Sequence, residues 1–165
     1  MSDEHIPLVV DPAARLMVED VVKRFGLAID LRDWNLFEAC LDDRVLMDLD
    51  PRVGDPRVGD PPDVKLPRKA IVANAKGEFE YDATLHLYSV ASAEVDDGDA
   101  VVRTNFVAHH YRRDEPGDRV FVQYGMYTHR LRWNGDEKAW RITEWHQDVR
   151  FATGNRALMD RGVDE

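Results

Sequence analysis

The chain has 165 residues and a formal net charge of −10 at neutral pH. That length suits one domain with its own core, and a composition of 44 % hydrophobic and 33 % charged residues excludes a disordered chain. The charge works against nucleic-acid phosphates and anionic lipid surfaces, and no apolar run reaches the roughly 18 residues of a membrane span.

The opening MSDEHIPLVV has neither a basic region nor a long apolar region, so no secretory signal is read there and a cytoplasmic location is expected by default. The expected partner is a small molecule or a second copy of the chain. Cys40 is the single cysteine, which rules out an internal disulfide. It lies among Leu36, Phe37 and Leu41 in a helical pattern, where packing is its expected role.

Asp11-Pro12 is a helix start, with Asp as cap and Pro at the first helical position. Met17, Val21, Phe25 and Ala28, flanked by Val18, Val22 and Ile29, then give an apolar stripe at helical spacing and predict a long amphipathic helix over 12–31. Asp30 falls in its last turn, where the negative end of the helix dipole disfavours a carboxylate. The position calls for a compensating role, such as orienting a histidine, unless Asp30 is simply solvent-exposed. Asp33 can cap a short helix over 34–41, and VLMDL (45–49) reads as a short strand.

From Pro51 the pentapeptide PRVGD occurs twice in tandem before Pro61-Pro62. Its Pro and Gly content blocks helix and central strand alike, so 50–66 is expected to be a loop, either a surface insertion or a flap over a pocket mouth. A third helix is expected from Pro67 through Ile71 and Ala75 toward Phe79.

The second half reads differently. Strands are predicted over 84–96, 100–112, 119–133 and 140–151, separated by the turn signals DDGD, EPGD and NGD. In the first of them, His86, Tyr88, Val90, Ser92 and Glu94 share one parity and Leu85, Leu87, Ser89, Ala91, Ala93 and Val95 the other. Helices followed by hairpin-connected strands indicate an α+β fold with N-terminal helices packed on one face of a curved, mostly antiparallel sheet. The other face needs cover, for which a second subunit in a homodimer is expected.

The order of these segments carries a resemblance. The hairpin AIDLRDWNLFEACLDDRVLMDL is followed by a loop and helix, then by TLHLYSVASAEVDDGDAVVRTNFVAHHYRR and YGMYTHRLRWNGDEKAWRITEW. This arrangement resembles the SnoaL-like branch of the nuclear-transport-factor-2-like superfamily over residues 12–152. The resemblance implies a single domain over 1–165, shaped as a cone-shaped α+β barrel with a small-molecule pocket at its wide end, the residues after the core forming a C-terminal tail.

Within the branch the chain is most similar to scytalone dehydratases and hexachlorocyclohexane dehydrochlorinases. Both have an Asp–His pair, and Asp30 and His86 fall on those positions. The resemblance further implies a second site histidine at His109; strand parity alone leaves His109 and His110 open, since a bulge would exchange their faces. Phe25, Leu49 and Tyr127 fall on substrate-contacting positions. The carbonyl-binding side departs from the scytalone dehydratase pattern: Ile29 and Leu49 stand where tyrosines are expected, and Gly125 and Tyr127 where serine and asparagine are. A more apolar pocket is therefore expected, with Tyr127 a replacement donor.

Three functions fit these residues. The first is a lyase in which Asp30 and His86 drive β-elimination from a cyclic apolar substrate. The second is an isomerase resembling ketosteroid isomerase with Asp48 as base, disfavoured because Phe25 stands at the position of a proton-donating tyrosine. The third is a non-catalytic ligand-binding protein, or a structural subunit resembling the small subunits of ring-hydroxylating dioxygenases. None requires a cofactor, and the six histidines form no metal-ligand spacing.

Overall fold

A computed structural model describes residues 11–49, 64–78 and 81–160. Helix α1 spans Pro12–Leu31 and α2 spans Trp34–Cys40. Strand β1 (Leu41–Leu49), the two-residue β2 (Leu66–Pro67) and α3 (Arg68–Glu78) follow. Four long strands complete the sheet, β3 (Ala83–Asp96), β4 (Asp99–Tyr111), β5 (Val120–Asn134) and β6 (Ala139–Gly154), and a short helix α4 (Ala157–Asp160) comes last.

Local chemistry accounts for the helix ends. The Asp11 carboxylate accepts from the Ala13 N–H at 3.1 Å, and the Asp33 carboxylate caps α2 by accepting from the Leu36 N–H at 3.0 Å. Between the two helices, Arg32 adopts the left-handed conformation at φ 56°, turning the chain sharply enough for α2 to pack back on α1. At the β3–β4 hairpin, Asp97 and Gly98 both take positive φ, 38° and 85°, which suits a two-residue turn following the strand twist.

The six strands form one sheet in the order β2-β1-β6-β5-β4-β3. Every pairing is antiparallel except β1 with β6, which is parallel. The chain is thus α+β, with its helices on one face of a curved sheet. Val18, Val22, Phe25, Ala28 and Ile29 of α1 and Phe37 of α2 are buried against Val102, Phe106, Leu131, Ile142 and Trp145.

The four long strands lie within a few residues of their predicted spans. Three boundaries differ. Strand β1 begins at Leu41 rather than Val45, because Leu41 already pairs with Ile142. The third helix starts at Arg68, since Pro67 is held in β2 opposite Arg44; its expected end at Phe79 lies outside the described residues. The C-terminal tail is partly folded: Leu158 in α4 is 1 % exposed. Residues 50–63 of the expected loop also lie outside the described residues, and with them its role as a flap. Among the described residues, no helix is long and apolar enough to cross a membrane.

Candidate functional site

Directly paired residues project from the same face of a sheet, so the register gives the inner face row by row. One row holds Thr84, His110 and Phe121. The next holds His86, Ala108 and Gln123, and the third Tyr88, Phe106, Gly125 and Val149. Beyond them come Val90, Thr104, Tyr127, Gln147 and Leu49, and then Val102, His129, Trp145 and Met47. Helix α1 crosses this face, bringing Asp30 to the first two rows, Gly26 to Tyr88, and Phe25 to His129 and Trp145.

Asp30 receives three donors where α1 meets β3. The His86 backbone N–H donates to Oδ2 at 2.8 Å, the Thr84 hydroxyl donates to Oδ1 at 3.0 Å, and the His86 ring nitrogen Nδ1 lies 2.6 Å from Oδ1. Burial alone would raise the Asp30 carboxyl, but the bonds from the His86 ring and backbone and from Thr84 outweigh it and hold the group below the usual carboxylate range. An ionised carboxylate can only accept, so Nδ1 carries a ring proton, and in the neutral imidazole the lone pair is on Nε2. Nε2 has no hydrogen-bond partner among the described residues. The His86 side chain is 4 % exposed and that of Asp30 13 %.

The second histidine corrects the expectation. His86 pairs directly with Ala108, and the β3 bulge falls beyond it, between Val90 and Ser92, so His110 is the one that faces inward with His86. His109 pairs with Leu85 on the outer face. The His110 ring lies 6.0 Å from the His86 ring and 4.9 Å from Tyr81. Burial, with His86 adding to it, pushes the His110 imidazole down to about 4, so it is neutral at physiological pH.

Asp48 is also on the outer face. It pairs in register with His146, whose Nδ1 lies 3.2 Å from it and whose Nε2 lies 3.0 Å from Glu144. A base there cannot reach the inner face, which removes the ground for the isomerase alternative.

Phe25 is wholly buried, stacked on Phe37 at 4.9 Å and edge-on to Trp145 at 4.8 Å. Leu49 is partly buried against the core at the end of β1. Tyr127 is 2 % exposed, stacks on Phe106 at 3.9 Å and accepts from Gln147 Nε2 at 3.3 Å, so its own O–H proton remains to be donated. Burial raises this phenol well above its ordinary value and keeps it protonated. Gly125 has no room for a side chain: a Cβ there would lie 2.1 Å from the Asp148 carbonyl oxygen.

Several polar groups on the inner face went unread in the sequence. The Tyr88 hydroxyl, the Thr104 hydroxyl, both ring nitrogens of His129 and the Trp145 indole nitrogen are buried without hydrogen-bond partners among the described residues. His129 is 0 % exposed, and burial pushes its imidazole down to about 3. Thr84 opens the TLH segment and shares strand parity with His86 two residues on, which is the signal that could have found it. Arg32 lies in the LRDW segment that carries part of the resemblance, but its reach to Thr84 was not legible because it depends on the left-handed turn Arg32 occupies. Among the described residues, no cluster of three or more His, Cys, Asp or Glu could hold a metal ion. Cys40 is buried and its thiol is pushed up to about 11 by burial, which makes it a packing residue.

Comparison with known proteins agrees with this architecture. The Kfla4162 protein of Kribbella flavida superposes with a TM-score of 0.79 at 18 % identity, over 91 % of this chain and 99 % of the other. A Novosphingobium aromaticivorans protein provisionally assigned as a scytalone dehydratase gives 0.69 at 15 % identity, over 87 % and 88 %. A type 2 hexachlorocyclohexane dehydrochlorinase gives 0.69 at 12 % identity, over 87 % and 89 %. At these identities the likeness shows the fold. Curated protein sequences give no match. The SnoaL-like domain model matches residues 12–146, most of the chain, and this protein therefore belongs to the SnoaL-like family.

Proposed function

We propose that the chain is a cofactor-independent lyase that eliminates water or halide from a small cyclic apolar substrate. The carrying observation is the 2.6 Å contact between Asp30 Oδ1 and His86 Nδ1, which leaves Nε2 as a lone-pair base on the inner face. In the proposed step Nε2 takes a proton from a carbon beside the leaving group. The C–H electron pair becomes the new double bond as the bond to the leaving group breaks with its pair. Halide departs as the anion and the proton on Nε2 is released to solvent, whereas departing hydroxide takes up the proton that Nε2 gained and leaves as water. Asp30 stabilises the imidazolium that forms, and the surrounding apolar residues limit access of water. His110, neutral and on the same face, is positioned to contact the leaving group, and Phe25, Leu49 and Tyr127 are the proposed substrate-contacting residues.

The test is a screen of cyclic β-hydroxy ketones, hydroxysteroid-like compounds and halogenated rings, read by mass spectrometry as loss of water or hydrogen halide. Elimination by the wild type and its absence in a folded His86→Ala variant supports the reading. Binding of these compounds without turnover supports the second reading, a non-catalytic ligand-binding protein, for which the unpaired Tyr88, Thr104, His129 and Trp145 groups speak independently of the dyad.

The outer sheet face supports a homodimer. Leu85, Leu87 and Phe151 are each more than half exposed there, with Phe151 stacked on Tyr124. Sedimentation at micromolar concentration is expected to give about twice the 19.0 kDa chain mass.

A further inference from the structure

Thr84 Oγ1 lies between two groups of opposite character. On one side Arg32 Nη1 is 2.9 Å away, and on the other Asp30 Oδ1 is 3.0 Å away. A guanidinium has donors and no acceptor, so the hydroxyl must accept from Arg32. A hydroxyl has one proton, and with a lone pair engaged by Arg32 that proton is directed to Asp30. Arg32 is itself fixed: its guanidinium donates to the Ile29 carbonyl and, at 3.3 Å, to the Tyr81 carbonyl, while its backbone N–H caps α1 in the left-handed conformation. The α1 end, the start of β3 and the carboxylate are thereby linked by one directed chain of hydrogen bonds.

We infer that Arg32 and Thr84 are positioning residues, Arg32 setting the direction of the Thr84 hydroxyl and Thr84 completing the set of donors that orients the Asp30 carboxylate toward His86. The inference rests on the reading of Asp30 and His86 as the working pair, and it adds a shell that none of the sequence motifs indicated. Without the hydroxyl, Oδ1 would have the His86 ring as its single donor, and rotation of the carboxylate would be restrained only by the His86 backbone N–H on Oδ2. Arg32 also places a positive charge near the carboxylate, so its two effects have to be separated. The other ionisable groups that interact with this carboxylate are His86 and Tyr88 on β3, His110 on β4 and Tyr127 on β5.

The experiment follows the carboxyl ¹³C resonance of Asp30 in the labelled full-length chain through an acid titration, with circular dichroism as the check on folding. Thr84→Val keeps the shape and removes the hydroxyl; its Asp30 midpoint is expected to move up by about one pH unit, the effect of one hydrogen bond to the charged form. Thr84→Ser is expected to restore the wild-type midpoint. Arg32→Met is expected to raise the midpoint in the wild-type background and to have a smaller effect in the Thr84→Val background, because part of its influence runs through the hydroxyl. Arg32→Lys, which retains charge and a donor, covers the case in which Arg32→Met fails to fold. An unchanged midpoint in a folded Thr84→Val variant would overturn the inference. So would equal effects of the Arg32 substitution in both backgrounds, which would reduce Arg32 to a charge. The readout needs no turnover: absence of elimination with these shifts present removes the lyase reading alone.

Discussion

The two halves of the inner face differ in how their polar atoms are treated. At the α1–β3 corner Asp30 is surrounded by donors from His86 and Thr84, and Thr84 in turn is held by Arg32. One to three rows further along the strands, Tyr88, Thr104, His129 and Trp145 present buried polar atoms with no partner among the described residues, amid the rings of Phe25, Phe106 and Tyr127. A buried unpaired polar group costs about 1–3 kcal/mol, a penalty confined in the first region to Nδ1 of His110 and repeated across the second. On the proposed reading, the first region holds the preorganised base and the second offers hydrogen bonds that a ligand would complete.

The largest effect expected is on turnover. His86→Ala is expected to abolish elimination, and Asp30→Asn to lower it by roughly 10²- to 10⁴-fold while preserving the fold, as measured by steady-state kinetics beside circular dichroism. His110→Ala is expected to cost more than His109→Ala, whose side chain is on the outer face. Equal losses from the two would break the assignment of faces.

Acid is expected to act on both regions in the same direction. His110 and His129 have folded values near 4 and 3, below the roughly 6.5 of an unfolded histidine. The unfolded chain therefore takes up protons first, and the stability these residues contribute is full above about pH 6.5 and is lost progressively toward pH 3–4. Each contributes a slope of up to about 1.4 kcal/mol per pH unit in that window. Asp30, also lowered on folding, adds stability above its unfolded value near pH 4 that is lost as pH falls through its folded value. Urea titrations at a series of pH values measure this. His129→Leu should flatten the upper part of the curve, and stability that rises on acidification from pH 7 to 5 would contradict the burial of both imidazoles.

At neutral pH the comparison predicts opposite signs for two substitutions. His129→Leu removes two unpaired atoms and is expected to stabilise the protein by about 1 kcal/mol, whereas Thr84→Val is expected to destabilise it by a similar amount, both read from denaturant midpoints. The smallest net effect is expected at Gly26. Replacing a mid-helix glycine with alanine gains up to about 1 kcal/mol of helix propensity. Here a Cβ would lie 2.6 Å from the Tyr88 ring, so the clash is expected to outweigh the gain unless Tyr88 is also reduced to leucine.

Much of the architecture was legible in the sequence because it depends on local rules. The Asp11 and Asp33 caps, the Asp97-Gly98 turn and the alternation of the long strands are short-range features, and each appears where it was expected. The candidate site was legible where the family resemblance named the residue. Asp30 and His86 could be named, but the choice between His109 and His110 depends on which β4 residue faces His86, and that register is set by the whole β3–β4 hairpin. The face of Asp48, offered as base of the disfavoured isomerase alternative, was not legible for a similar reason: it is set by the pairing with His146, far away along the chain. His129 was passed over because parity makes it an ordinary strand residue, and only its depth shows that its nitrogens lack partners.

The parallel pairing of β1 with β6 bears on the order of assembly. Met47 meets Trp145, and Phe25 of α1 rests on the same indole, so the first helix and first strand find their cover in the last strand. During synthesis α1, α2 and β1 leave the ribosome long before β6 exists, with the apolar stripe of α1 and one edge of β1 still without their native partner. Contacts so distant along the chain must close a large loop before they return any stabilisation, which slows folding and prolongs the exposure of such surfaces. The nascent chain is therefore expected to depend on chaperone protection until its C-terminal strand is released. The same closure makes the fold cooperative: loss of β6 would uncover both α1 and β1.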